Sequence, residues 1–144
     1  MSRRNSREDI FKILFVIDAN GNDDCNEALT NYFENHSDGE LWSSEKITEE
    51  EKTYITDTIN GAVGNFNIID DNIKKYLKNW NFERISKVSL ACLRLSLYEI
   101  IFIEDIPVKV SVNEAVEIAK KFGGAEDSKF VNGVLGEYIR NEIK

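Results

Sequence analysis

A chain of 144 residues, 42% hydrophobic and 31% charged, has the size and mix of one ordinary globular domain. Its net charge of −8 argues against a general polyanion binder. A single proline suits long helices, because proline removes a backbone N–H and clashes inside them.

The pattern predicts an all-α protein, a compact bundle of about seven helices, since no window alternates in the manner of strands. The first helix spans about 4–18, with Ile10, Ile13, Leu14 and Ile17 on one face and Asn20-Gly21 at its end. A second covers 25–35, with Leu29, Tyr32 and Phe33 inward, and 36–47 reads as a loop. Thr48 and Glu51 form a capping box that opens a third helix to about 66, with Ile55, Ile59, Ala62 and Val63 spaced for packing. Gly61 and Gly64 cost helix propensity there, which close approach of a neighbouring helix would justify. A fourth helix covers about 69–79 and holds Tyr76 and Leu77. The fifth, about 85–102, is apolar all round and so belongs at a centre. Pro107 ends it, and Ser111 with Glu114 form a second capping box for a helix whose face is Val112, Ala115, Val116 and Ala119. Gly123-Gly124 closes that helix, and the last starts near 127, with Val131, Val134, Leu135 and Tyr138 as its stripe. Two sub-bundles are expected, about 1–80 and 81–144.

Catalysis finds little support. His36 stands in a polar loop without convergent partners, and no serine or cysteine comes with a recognisable base. Cys25 and Cys92 have no zinc spacing, so no metal or cofactor is expected. Cys92, inside an apolar helix, reads as a buried free thiol, in keeping with a reducing cytoplasm. The most apolar stretch is broken by Arg94 and Glu99 and falls short of the ~20 apolar residues a membrane span needs. Arg94 itself needs an acidic or carbonyl partner once buried, and Glu114 is the candidate.

Charge is uneven. Residues 13–72 hold fourteen acids against Lys46 and Lys52, whereas the first twelve hold Arg3, Arg4, Arg7 and Lys12 against Glu8 and Asp9. Cations there oppose the helix dipole, which hints at a use besides stability. Arginine forks bind phosphate and stack on bases, and Phe15 lies on the same helix. Lys74, Lys75 and Lys78, then Lys120, Lys121 and Lys129, add positive charge that read alone is a solvated face.

Three blocks carry more than periodicity: LRLSLYEI from Leu93, IPVKVSVNEAVEIAKKFG from Ile106, and SKFVNGVL from Ser128. Their order and spacing resemble the NusB family of bacterial transcription antitermination factors, and SRRNSREDIFKILF resembles that family's arginine-rich first helix more loosely. The resemblance implies two helical sub-bundles that bind boxA, a short single-stranded element of ribosomal RNA transcripts, together with the small-subunit ribosomal protein NusE. The pair would help RNA polymerase, within an antitermination complex, read through terminators. By position it implies that Arg3, Arg4, Arg7, Lys12, Phe15, Tyr76, Lys129 and Phe130 contact RNA. Asp127 would lie beside Lys129 and Phe130, and the NusE face would lie around the fifth helix, with Ser89 where some relatives carry an acid. Asn5 and Ser6 interrupt the arginine run, and Phe15 lacks the phenolic hydroxyl of the family's usual tyrosine, so weaker RNA affinity is expected. The resemblance also leaves room for a homodimer that hides the RNA surface. A second reading stands beside this one: a helical module that docks a ribosomal-protein partner and has little RNA affinity of its own. A third class, RNA methyltransferases that carry a NusB-like domain, adds a methyl-donor-binding domain; none is expected within these 144 residues, and so no catalysis is expected.

Overall fold

The computed structural model describes residues 3–21, 25–36, 42, 46–78 and 81–143. Among these are seven α-helices and no strand. The chain divides into two compact units, Met1–Gly64 and Asn65–Lys144. The division falls ahead of the expected boundary near 80 because the fourth helix packs against the fifth.

The first unit is a three-helix bundle of α1 (Arg3–Ala19), α2 (Cys25–Asn35) and α3 (Glu49–Gly64). Ile10, Ile13, Leu14 and Ile17 are buried as their spacing requires, against Leu29 and Tyr32 of α2 and Ile55, Ile59 and Ala62 of α3. The Tyr32 hydroxyl donates to Asp9 Oδ2 at 2.7 Å, so both buried polar groups are satisfied. Phe33 is only half-buried and lies edge-on to Tyr32. Gly21, at φ 83°, ends α1 in the left-handed conformation that glycine adopts without cost. The capping box of α3 is formed: Glu51 N donates to Thr48 Oγ1 at 3.1 Å, and Thr48 N to Glu51 Oε1 at 2.9 Å. That second bond holds the Glu51 carboxyl below its usual range. Gly64 is not there for close packing, because a Cβ at this position would meet nothing within 4 Å.

The second unit is built on α5 (Lys87–Phe102). It packs against α4 (Phe66–Lys75), α6 (Val108–Phe122) and α7 (Ala125–Glu142), and a short 3-10 turn, Phe82–Arg84, precedes it. Every residue of α5 from Ser89 to Glu99 is buried, as an all-round apolar helix should be. Helix α4 starts earlier than expected and ends at Lys75, so Tyr76 and Leu77 lie just beyond it; Asn79, the expected end, lies outside the described residues.

The polar residues within this core are matched. The Arg94 guanidinium grips Asp70 of α4 with Nε at 3.0 Å and Nη2 at 2.8 Å, and lies 4.0 Å from the centre of the Phe66 ring. The carboxylate receiving this fork therefore comes from the helix before α5, not from Glu114 on the helix after it. Ser111 is likewise not a cap. Helix α6 begins three residues earlier, directly after Pro107, whose fixed φ of −59° suits a helix start. Ser111 sits in its first turn, buried, and its hydroxyl donates to Glu99 at 2.8 Å and lies 3.1 Å from that of Ser96. The buried face of α6 is accordingly Ser111, Ala115, Ile118 and Ala119, with Val112 and Val116 at its edges. On α7 the expected stripe of Val131, Val134, Leu135 and Tyr138 is buried.

Candidate nucleic-acid interface

In the first unit the basic residues separate by position along α1. Arg3 and Arg4 are exposed, and the Arg3 guanidinium lies 3.7 Å from the centre of the Tyr54 ring. Arg7, expected on the surface with them, is 6% exposed. The reason is register: Arg7 precedes Ile10, Leu14 and Ile17 by three, seven and ten residues and so shares their buried face. Lys12 is half-buried and pairs with Glu8 one turn back at 3.6 Å. Phe15 is half-buried, its ring 6.4 Å from that of Phe11. Of the basic residues of α1, Arg3 and Arg4 are thus the exposed ones.

In the second unit, three of the residues singled out by sequence meet at one place. Tyr76, Lys129 and Phe130 line a depression of about 370 Å³ together with Leu77, Lys78, Gly133, Val134, Glu137 and Arg140. Lys129 is exposed and Phe130 half-buried. The same two residues line a second, larger depression of about 710 Å³ with Arg84, Ile85, Ser86, Ser89, Glu126 and Asp127. Lys129 and Phe130 therefore form a ledge shared by two hollows of different chemistry. The larger one offers carboxylate acceptors, and the smaller one is mainly cationic.

Helix termini build the larger hollow. Ser86 caps α5, its hydroxyl accepting from Ser89 N at 3.0 Å. The hydroxyls of Ser86 and Ser89 both donate to Asp127 Oδ1 at 2.5 Å, which ties the first turn of α7 to the first turn of α5. Asp127 also explains the first of the two glycines before it, and backbone conformation explains the second. A Cβ on Gly123 would fall on its carboxylate, and Gly124 adopts φ 106°. Ser89, expected at the NusE face, is 1% exposed, and its hydroxyl is committed to Asp127. Cys92 lies beneath; burial first, and then the Asp127 charge, push its thiol far above the ordinary range, which leaves it no nucleophilic role.

Beside the smaller hollow, the end of α4 is tied to the end of α7. Glu142 Oε2 accepts from Lys75 Nζ at 2.7 Å and from the Tyr76 hydroxyl in a short hydrogen bond. Those bonds hold the Glu142 carboxyl below its usual range and push Lys75 and Tyr76 up, so the phenol stays protonated. The Tyr76 ring meets Tyr138 edge-on. Sequence reasoning saw the lysine run but missed Arg84, Glu137 and Arg140, whose place depends on how the helices pack. Among the described residues no group of three or more His, Cys, Asp or Glu could hold a metal ion, and no helix is long and apolar enough to cross a membrane.

The model described as the NusB family matches residues 4–140. Transcription antitermination protein NusB of Clostridium botulinum (strain Hall) is 43% identical, the match covering 96% of this chain and all of that protein. The solved NusB of T. maritima superposes with a TM-score of 0.84 at 33% identity, over 98% of this chain and 92% of that one. A chain from a crystal structure of antitermination factors NusB and NusE in complex with dsRNA gives a TM-score of 0.81 at 25% identity, over 96% of each. This chain belongs to the NusB family of transcription antitermination factors, which are not enzymes.

Proposed function

We propose that this chain binds a single-stranded, boxA-type RNA together with NusE, and that the pair helps RNA polymerase read through terminators in the cytoplasm. The observation that carries this reading is the ledge of Lys129 and Phe130 between two hollows. An aromatic face can take a base by stacking while an adjacent cation takes its phosphate. Arg3 and Arg4, exposed at the start of α1, supply further phosphate contacts. The solved NusB relative that accompanies NusE and dsRNA supports both classes of partner. NusE would dock around the start of α5, beside the larger hollow.

A titration of fluorescent boxA-type RNA by anisotropy tests this, with a scrambled RNA as reference and NusE present or absent. Preference for boxA is expected, and NusE should strengthen it. Phe130→Ala should weaken binding by about 1–3 kcal/mol, the range for losing one stacked base. Lys129→Ala should weaken it less, and neither should change the helical circular dichroism. Equal binding of boxA and scrambled RNA with NusE present would overturn the reading.

One observation favours the alternative of a docking module with little RNA affinity. Arg7 is buried and Lys12 is paired, so the basic start of α1 is reduced to two arginines. Tight NusE binding that RNA does not enhance would select that alternative.

A further inference from the structure

The smaller hollow holds three cations and one carboxylate. Lys78 enters from the segment after α4, with its side chain 71% exposed, and Arg140 from the last turn of α7, 66% exposed. Lys129 lies on the same rim. Glu137 stands between the first two. Its Oε1 accepts from Lys78 Nζ at 3.2 Å and from Arg140 Nη2 at 2.5 Å, and Asn141 Nδ2 reaches its other oxygen at 3.4 Å. One oxyanion held by a lysine, an arginine and an amide is the arrangement a phosphate takes. Arg140 first, and then Lys78, hold the carboxyl below its usual range, so it is fully charged at neutral pH.

The backbone gives a second, independent sign. Lys78 has a φ of 54°, and among the described residues it is alone among non-glycines in a positive value. A lysine in the left-handed region is strained where glycine or asparagine would rest more easily. The side chain itself is largely in solvent and packs against no core, although Leu77 beside it is buried. Strain kept at such a position points to what the side chain does there.

We infer that this hollow is a phosphate subsite for RNA, and that in the free protein Glu137 occupies it as an internal substitute that the RNA backbone displaces. The inference rests on the RNA-binding reading above and adds a determinant of affinity to it. A phosphate arriving beside a base stacked on Phe130 competes with Glu137 for Lys78 and Arg140. A lone anion lacks that stacking and competes poorly. Glu137 thus lowers affinity for anions in general and favours a ligand that offers ring and phosphate together.

The test compares Glu137→Gln with Glu104→Gln, which removes the same charge from an exposed site outside the hollow. Binding of boxA-type RNA in the presence of NusE is measured from low to moderate salt. Glu137→Gln should tighten binding roughly three- to tenfold at low salt. It should also steepen the dependence of log K on log salt by about 0.7–1.4, for one or two cations newly committed to phosphate. Glu104→Gln should change affinity less than twofold, and Lys78→Ala added to Glu137→Gln should remove most of the gain. If Glu137→Gln binds no better than Glu104→Gln, or binds worse, the subsite proposal fails and the RNA reading stands. If neither the natural chain nor Glu137→Gln binds RNA with NusE present, the RNA reading itself fails and takes this proposal with it.

Discussion

Lys78 gives up stability for position. A non-glycine residue in the left-handed region is strained by about 1–2 kcal/mol, and the exposed pair with Glu137 recovers little of it. Lys78→Gly should therefore raise the unfolding free energy by about 1 kcal/mol and the melting temperature by a few degrees. The same change should weaken RNA binding a few-fold, which a paired thermal melt and anisotropy titration would show. A loss on both measures would mean that the lysine is structural. At this scale the sequence was a partial guide. Lys129 and Phe130, and Tyr76 distant from them in the chain, each singled out by the resemblance, line one surface hollow. Arg7 could have been recognised from its register with Ile10, Leu14 and Ile17. The commitment of Ser89 to Asp127 could not, because it depends on an α5–α7 contact across 38 residues of sequence.

Among the elements, α5 and its ties decide most. The Arg94 side chain is 4% exposed and Asp70 is its bidentate partner. Asp70→Ala strands a guanidinium with almost no access to water and should cost about 3–5 kcal/mol, whereas Arg94→Met leaves a carboxylate that is 17% exposed and partly hydrated, and should cost clearly less. Urea denaturation of both variants measures the difference, and equal costs would show that the stranded charge is not what matters. A different tie, between α4 and α7, titrates. The Glu142 carboxyl lies below its ordinary value in the folded chain, so its contribution is full at neutral pH and is lost as pH falls through the lowered value. Lys75 and Tyr76 are raised, so their share is full below their ordinary values and is lost as pH rises through the raised ones. Glu142→Gln should consequently flatten both limbs of the melting temperature against pH, and an unchanged profile would show the clasp to be idle. The helices themselves were legible because each buried stripe repeats at helical spacing. Their starts were less so. Ser111 has the look of a cap, yet its hydroxyl serves Glu99 instead, and nothing local distinguishes the two uses.

For the molecule as a whole, an all-helical chain in two units was readable from the stripes and from the three family blocks. The position of the division was not. The boundary near 80 followed the loop-like residues before α5, whereas the α4–α5 packing that includes the Arg94–Asp70 pair assigns α4 to the second unit. The ledge shows the same limit. Its aromatic and its lysine are adjacent in sequence, but the hollows on either side draw on the segment after α4, the 3-10 turn, α5 and α7. An overall charge of −8 says little about such a place, because a few cations gathered within one hollow set the local field.

Asp127 limits how this part of the chain can drift. One of its oxygens serves two serines, and its carboxylate fills the space a methyl group on Gly123 would need. Replacement at any of these four positions alters the conditions for the other three. The quartet should therefore change together or not at all over generations, and a lineage that exchanged Gly123 for a larger residue would first have to refit the acid.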